Sequence, residues 1–449
     1  MKRSAWRYLW SAQDIRRKLL ITFFIIVIYR FCAHIPVPGA NPEAIEAILN
    51  SGGAESTLLS LLDLLSGGTV SNFSVMAMGV YPYITAQIIL QLLVPIVPSI
   101  QRRMEEDPRE GQKWMEKWTY ILAIPMAALQ AIGQINIFSS FAGVPVIDNF
   151  GLGPGELLPS LTTITAMVAG TMFAIWLGQL ISEYGIRNQG LSIIIFAGII
   201  SQVPLNFASL MADAQTRWIT LAIVLVLMVL IIFAIVFVQQ GRRNVPVMYP
   251  GRRVGNRMSM PVKGTLPLMV NMAGMIPLIF AQALLTFPAI LASFFTSAET
   301  EWVANLATSV QAAFGGQTAT YWILYFFSVV LFTFFYTDVL FAQQNYGENL
   351  KRAGARIPGV SPGAPTQAYL TRVLRRITFP GALFLGFIAI FPFLVTLLFP
   401  VFGLEAANTG ALLVSSAGLL IVVGVVRDVF FTIDAELKLH GYDDTLLIR

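Results

Sequence analysis

Basic residues in this chain fall in short segments that alternate with long apolar runs, and no other feature constrains the fold as strongly. The six segments hold all but two of the 29 Lys and Arg residues. They are the N-terminus through Lys18, 95 to 118, the turn at Arg187, 239 to 264, 343 to 376, and the tail from Arg427. Short loops rich in Lys and Arg remain in the cytoplasm. The pattern therefore predicts ten membrane crossings with both termini in the cytoplasm.

The composition agrees with a polytopic membrane protein. Hydrophobic residues make up 56% of the chain and charged residues 12%, whereas soluble domains carry roughly 25% charged residues. Each crossing requires about 20 mostly apolar residues. We place the spans at 19–37, 73–94, 119–138, 161–182, 191–208, 218–238, 265–286, 320–342, 377–397 and 410–430. The predicted fold class is all-α, with ten transmembrane helices.

Ten crossings divide into two halves of five, residues 1–210 and 211–449. Because each half holds an odd number of crossings, the halves have opposite orientations, as in an inverted repeat. The second span of each half carries Gly and Pro near its middle, which is typical of the functional centre of such proteins. These residues are Gly79 and Pro82, then Gly274 and Pro277. Gly and Pro are also common in membrane helices generally, so an ordinary pair of spans remains an alternative.

The predicted spans carry almost no ionisable side chains at mid-membrane, where transporters of small solutes usually keep them. They offer aliphatic side chains there instead. These are Val80, Ile84, Leu191, Ile195, Ile276 and Ile421. A packed core explains any one of them, but a ring drawn from several helices would form a hydrophobic constriction. Such a constriction excludes water and ions and yields to a larger passenger.

A short apolar segment follows the first span. From Ser56 it contains about a dozen apolar residues, or roughly 18 Å of helix, which is too short to cross the membrane. Its leucines and glycines include Leu58, Leu61, Leu62, Leu65, Gly67 and Gly68. A re-entrant helix tucked into the bundle is one interpretation. A helix lying flat on the outer leaflet is the other.

Several long motifs resemble one family. They are MGVYPYITAQIILQLL from Met78, ISEYGIRNQGLSIIIFAGI from Ile181, VNMAGMIPLIFA from Val270 and IPGVSPG from Ile357. Together they resemble the SecY family, the channel subunit of the bacterial protein translocase. The resemblance implies a central, hourglass-shaped pore between the two halves, with the six aliphatic residues at its waist. It also implies that a re-entrant plug helix at about 58–71 closes the outer funnel.

The resemblance further implies a lateral gate between spans 2 and 3 on one side and spans 7 and 8 on the other. A polar cluster would lie in this gate, formed by Thr85, Gln130 and Asn271. Ordinary hydrogen bonding between helices is the alternative for these three side chains, and it contributes only about 0.6 kcal/mol per bond in membranes. A bond that weak suits a gate that must open.

The two long basic loops correspond to the family's docking surface for the SecA motor or for the ribosome and its RNA. The basic residues are Arg242, Arg243, Arg252, Arg253 and Arg257 in the first loop, and Lys351, Arg352 and Arg356 in the second. The preference for basic cytoplasmic loops would also explain them. One departure lies in IPGVSPG, where Ser361 stands at a position that most relatives fill with Arg.

The sequence therefore predicts a protein-conducting channel of the bacterial inner membrane. It would pass unfolded polypeptides, recognise signal sequences in nascent chains, and release hydrophobic segments into membrane lipid, with SecE-like and SecG-like subunits as partners. We expect no enzyme activity and no cofactor, because His34 and His440 are the two histidines and no nucleophile or phosphate loop is apparent. A secondary transporter of a small solute is the main alternative. A structural scaffold for other membrane proteins is a weaker one.

Overall fold

The structure is a computed structural model, and its residues form mainly α-helices. It describes residues 13–41, 73–142, 145–147, 150–151, 153, 155–212, 217–250, 253–254, 257–258, 262–295, 300–315, 318–398 and 416–439.

The helices follow the predicted apolar runs. They are α1 (Gln13–Cys32), α2 (Tyr81–Ile96), α3 (Pro98–Glu106), α4 (Pro108–Ala142), α5 (Leu157–Tyr184), α6 (Gly190–Ala212), α7 (Arg217–Gln240), α8 (Ile276–Ser293), α9 (Glu301–Phe314), α10 (Ala319–Gln343), α11 (Tyr346–Arg352), α12 (Ala364–Leu398) and α13 (Ser416–Leu439).

Several of these helices can cross a membrane. Within the described ranges, the segments long and apolar enough to do so are Arg109–Asn136, Leu157–Tyr184, Leu221–Gln240, Ala319–Arg352 and Ala364–Val395. The bent pair α2 and α3 adds a sixth if it counts as one span, and α6 and α8 hold shorter apolar helices. The chain is an integral, multi-pass membrane protein. The number of ten crossings stays a prediction.

The Gly and Pro residues begin helices rather than interrupt them, so the predicted bounds of spans 2 and 7 were wrong. Residues 73–80 form turns and α2 starts at Tyr81, while α8 starts at Ile276. Pro is therefore the second residue of each helix, where its missing N–H costs nothing. Gly79 and Gly274 lie two residues before the helices, with φ of +51° and +63°. This left-handed conformation is readily adopted only by glycine.

The loop at 239–264 contains β-structure, so the all-α prediction was wrong there. Strand β1 (Arg242–Tyr249) pairs antiparallel with β4 (Val262–Met269), and the short strands β2 (Arg253–Val254) and β3 (Arg257–Met258) pair between them. Val245 and Val247 are buried while their neighbours are exposed. This alternation is the two-residue period of a half-buried strand.

The chain forms two compact units. The first comprises Met1–Leu225, Ala283–Trp322 and Pro392–Arg449, and the second comprises Val226–Gln282 and Ile323–Phe391. The division into halves at residue 210 is a statement about symmetry, and it remains a prediction.

In the first unit, a core cluster joins α4 and α5 to the turns before α2. Ala127 and Ala131 are fully buried in it beside Phe73 and Met167. A Cβ at Gly170 would overlap the carbonyl oxygen of Val75. Glycine therefore lets α5 pack directly on the backbone of residues 73–80, which holds the start of α2 in place.

In the second unit, the core lies beneath the β1–β4 hairpin. Val245, Val247 and Leu268 of the hairpin pack with Leu370 and Leu374 of α12 in one buried cluster. The hairpin and the segment after α10 thus share a hydrophobic core. The two basic loops predicted separately from the sequence form a single folded body.

Candidate functional site

Five of the six predicted waist residues lie in the first unit. Val80 is buried immediately before α2, and Ile84 is half-buried one turn later, with its N–H donating to the Val80 carbonyl at 3.2 Å. Ile421 is buried on α13, and Ile276, in the second unit, is the half-buried first residue of α8. Val80 and Ile276 therefore occupy the two matched helix starts. Ile276 belongs to a different unit from the other five residues, so the six-residue ring stays a prediction.

Leu191 and Ile195 are positioned by a close helix crossing. A Cβ at Gly178 of α5 would lie 2.6 Å from Leu191 Cδ2, and one at Gly190 would overlap the Gly178 carbonyl oxygen. These glycines let the start of α6 approach the α5 backbone, and α6 also packs against α13, which carries Ile421. The sequence analysis did not single out this glycine pair, although close helix crossings in membranes commonly use small residues.

Two of the three predicted gate residues contact each other. Gln130 Nε2 donates to Thr85 Oγ1 at 3.3 Å, and Thr85 Oγ1 donates to the Pro82 carbonyl at 2.9 Å. This bond joins α4 to α2. Gln130 Oε1 is buried without a hydrogen-bond partner in the described part of the chain. A buried oxygen of this kind costs about 1–3 kcal/mol if no partner is supplied.

Asn271 makes a local bond. Its Nδ2 donates to the Gly274 carbonyl at 3.1 Å, and its buried Oδ1 has no partner within the described ranges. The side chain stabilises the turn that precedes α8. The Asn-x-x-Gly spacing is the signal that could have predicted this role, because Asn side chains commonly bond to the backbone of turns.

A further contact joins α8 to α2 and α4 within the first unit. The side chains of Tyr81 and Thr286 are hydrogen-bonded. A Cβ at Gly133 of α4 would lie 3.4 Å from Ile290 Cβ. The second half of α8, which belongs to predicted span 7, therefore packs directly on spans 2 and 3. These four residues were missed in the sequence, because no local pattern identifies partners more than 150 positions apart.

The predicted plug residues, Leu58, Leu61, Leu62, Leu65, Gly67 and Gly68, lie outside the described residues. The chain on either side of them is described. Val37 N–H donates to the Phe73 carbonyl at 3.1 Å, and Val75 N–H donates to the Ile35 carbonyl at 2.9 Å. The ring of Phe73 also packs against Phe138, with centroids 5.3 Å apart. The described residues before and after the segment are thereby held together.

The described residues among those predicted for docking belong to the shared body of the second unit. Arg242, Arg243, Lys351, Arg352 and Arg356 are exposed. Arg253 and Arg257 lie in the short strands β2 and β3, and Arg252 lies outside the described residues. Lys351 and Arg352 face Glu348 at 4.0 Å and 3.7 Å, distances that contribute little at an exposed site.

Other charged side chains form pairs near helix ends. Lys18 Nζ of α1 lies 2.6 Å from Glu436 Oε1 of α13, and beside this pair Ile15 packs with Ile433 and Leu437. Among the described residues, no group of three or more His, Cys, Asp or Glu side chains could hold a metal ion.

Comparison with known sequences gives consistent matches. A family model described as SecY matches residues 74–430. The chain is 38% identical over 440 residues to the protein translocase subunit SecY of Aquifex aeolicus strain VF5, covering 97% of both chains. It is 36% identical over 434 residues to the subunit of the same description in Pseudomonas aeruginosa, covering 96% of this chain and 92% of the relative.

Solved structures share the fold. One is described as a protein conducting channel, with a TM-score of 0.59, 17% identity, and coverage of 93% of this chain and 91% of the other. A second matches equally well and is described as showing that the plug domain of the SecY protein stabilises the closed channel and maintains a membrane seal. At this identity the likeness concerns the fold.

Proposed function

Because the chain belongs to the SecY family, we propose that it forms the protein-conducting channel of a translocase in the bacterial cytoplasmic membrane. Unfolded polypeptides pass through it, and hydrophobic segments leave sideways into lipid. A secondary transporter is not favoured, since the relatives above are translocase subunits.

The matched starts of α2 and α8 carry this proposal. Each start combines a left-handed glycine, a proline at the second helical position and an aliphatic residue between them, Val80 or Ile276. A helix that begins within an apolar run leaves unpaired backbone N–H groups, which the membrane tolerates only beside protein or a cavity. In the proposed channel, Val80 and Ile276 would belong to the aliphatic waist that the family resemblance implies.

The contacts of α8 with α2 and α4 support a closed lateral gate. The hydrogen bond between Tyr81 and Thr286 and the packing of Ile290 on Gly133 hold α8 against α2 and α4. The bond between Gln130 and Thr85 joins α4 to α2 on one side of the gate. Each polar contact of this kind is worth only about 0.6 kcal/mol on average in membranes. Gln130 Oε1, which has no partner among the described residues, would find donors when the gate opens, and this offsets part of the cost of opening.

The segment at about 58–71 would act as the plug. Val37 and Phe73, which lie before and after it in the described chain, are hydrogen-bonded, so the chain between them leaves and returns at the same place. A short apolar segment anchored in this way can fill a funnel without crossing the membrane. The finding described for the related SecY structure, a plug that maintains the seal, fits this role.

The pair Lys18 and Glu436 supports the proposed topology. The first residues of α1 and the last residues of α13 meet there. Two helix ends that meet lie at the same face of the membrane, so the chain would make an even number of crossings. Both termini would then lie on the same side, and the basic residues of the N-terminus favour the cytoplasm as that side.

Energy for transport would come from partners. We propose SecE-like and SecG-like subunits in the membrane, and SecA or a ribosome on the body formed by the two basic loops. Ser361 lies in this body, exposed, with its carbonyl accepting a bond from Thr366 Oγ1 at 2.8 Å. Its position suits contact with a partner. Most relatives carry an arginine at this position, and in this chain a neighbour such as Arg356 would have to take over its role.

Transport in proteoliposomes tests the proposal. The chain, purified with the membrane subunits that accompany it, is reconstituted with SecA, ATP and a secretory precursor. Protease-protected precursor should accumulate only with ATP and an intact signal sequence. Solute uptake driven by an ion gradient, without precursor protection, would establish the transporter instead.

A further inference from the structure

A groove with a volume of about 1110 Å³ lies in the second unit between α10, α11 and α12. Along α12 the lining changes from three arginines, Arg372, Arg375 and Arg376, to Phe379, which lies beside Phe334 of α10 at the apolar end. We propose that this groove binds an anionic phospholipid, with the phosphate between the arginines and an acyl chain along the two phenylalanines.

The groove exists because α10 and α12 pack antiparallel in a regular register. Phe326 faces Phe387 with ring centroids 5.6 Å apart, and eight residues further along α10 Phe334 faces Phe379 at 6.5 Å. Four residues beyond that, Asp338 accepts bonds from Arg375 at 2.9 Å and 3.2 Å. Contacts change from aromatic to charged within one helical turn, so the groove is amphipathic along its length.

This change falls at the expected membrane boundary. Arg375 and Arg376 immediately precede the apolar run of 377–397, while Phe334 lies within the run of 320–342. The charged end would therefore lie at the level of the lipid headgroups and the aromatic end within the hydrocarbon. Phe379 is 54% exposed and Leu331, one turn before Phe334 on α10, is 66% exposed. These apolar surfaces continue the groove into the bilayer.

Charge favours an anion at the arginine-lined part of the groove. Asp338 is occupied by Arg375, and Glu348, which also lines the groove, faces Lys351 and Arg352. Arg372 and Arg376 lie one turn apart, exposed, and neither forms an ion pair within the described residues. Two guanidinium groups on one helix face can share the oxygens of a phosphate. Basic pockets between membrane helices on the cytoplasmic side commonly bind anionic lipid headgroups.

A nucleic acid fits the groove less well. It would satisfy the arginines, but it would leave the path along Phe334 and Phe379 unused. A lipid can bind the arginines and cover the phenylalanines at once, because its phosphate is covalently joined to an acyl chain.

Native mass spectrometry of the full chain, purified with its accompanying membrane subunits, tests the proposal. Phosphatidylglycerol is titrated against phosphatidylcholine. The double variant Arg372→Gln/Arg376→Gln should bind phosphatidylglycerol about 30-fold more weakly, the effect expected for two interfacial arginines. The charge-conserving variant Arg372→Lys/Arg376→Lys should stay close to the parent, which separates lost charge from misfolding.

A matched control removes the same charge elsewhere. Arg102→Gln/Arg109→Gln changes two exposed arginines near the same expected membrane face and should leave phosphatidylglycerol binding unchanged. Equal loss in both glutamine variants would indicate general surface charge and overturn the site. Unchanged binding in the Arg372 and Arg376 variant would do the same.

A photoreactive lipid and two competitors identify which molecule supplies the phosphate. A phosphatidylglycerol with a photoreactive acyl chain should crosslink to α10 and α12 near Phe334 and Phe379. Inorganic phosphate and a short RNA, each in molar excess over the lipid, should fail to displace the lipid. Displacement by phosphate would reduce the site to a free anion site, and displacement by RNA would assign it to nucleic acid; either result overturns the proposal.

Discussion

Met248 and Arg356 exchange two backbone hydrogen bonds. Each N–H donates to the other residue's carbonyl at 2.8 Å, so strand β1 continues its pairing onto the segment that follows α11. Met248 uses the strand edge that faces away from β4. Helices α8, α9 and α10 separate the two basic loops in the sequence. The two backbone bonds therefore fix these loops to each other. Partners that bind one loop encounter the other in a set position.

Substituting Met248 with proline should uncouple the loops. Proline removes the N–H that bonds to Arg356 and leaves the side chains of the shared core in place. We expect the amide of Arg356 to exchange hydrogen faster in Met248→Pro, while amides of β4 keep their protection. Hydrogen exchange with mass spectrometry measures this. Met248→Ala, which retains the N–H, should exchange like the parent; equally fast exchange in the alanine variant would show that the bonds do not couple the loops.

A designed disulfide should lock α4 to α8. A Cβ placed on Gly133 would lie 3.4 Å from the Cβ of Ile290, close to the 3.5–4.5 Å usual for disulfides. In a Cys32→Ser background, Gly133→Cys/Ile290→Cys should crosslink on mild oxidation and stop the release of hydrophobic segments into lipid. Reduction should restore release, and each single cysteine should be insensitive to oxidant. A crosslinked channel that still releases such segments would place the gate elsewhere.

A polar residue at the waist should open the resting channel to ions. Water is poorly retained between aliphatic walls, so a closed ring blocks ions by dewetting. Replacing Ile421 or Ile276 with Asn should raise the resting conductance in planar bilayers about tenfold, the change that corresponds to 1.4 kcal/mol in the equilibrium between closed and open states. Ile421→Leu keeps the wall apolar and should remain tight. Tight, normally expressed Asn variants would make packed core the better account of these residues.

Charge reversal in the first basic loop should weaken partner binding in a salt-dependent way. Arg252→Glu/Arg253→Glu should reduce binding of SecA or ribosomes more at low salt than at high salt. The reason is that the Debye length falls from about 30 Å at 0.01 M to about 10 Å at 0.1 M. Arg102→Glu/Arg109→Glu is the control with the same charge change. Binding that does not respond at any salt concentration would remove the pair from the interface.

Cysteine accessibility should establish the topology. Single cysteines in a Cys32→Ser background react with an impermeant maleimide added to one side of the membrane. Labelling should occur only from the cytoplasm for Glu105→Cys, Pro250→Cys and Val360→Cys, and only from outside for Asn50→Cys, Phe150→Cys and Asn305→Cys. Reversed labelling at any two positions would contradict the ten-crossing topology.

The amino-acid sequence alone determined where the chain is apolar, which loops are basic and which family it resembles. Hydropathy and charge are local quantities, summed along a stretch of about 20 residues, so they can be read without knowing what the stretch contacts. Because hydropathy is local, it also gave the wrong bounds for spans 2 and 7. Apolar strand residues such as Leu266 and Leu268 look like the start of a span, and they are in fact paired in β4.

Only the tertiary structure decided which distant residues meet. The contacts of Gly133 with Ile290, Lys18 with Glu436 and Met248 with Arg356 depend on the shape of packed surfaces and on backbone groups present in every residue. No side-chain pattern encodes such a partner, because many positions could supply an equivalent glycine, charge or N–H. Close packing selects one of them, since helices in lipid associate where their surfaces fit and where small residues allow the backbones to approach.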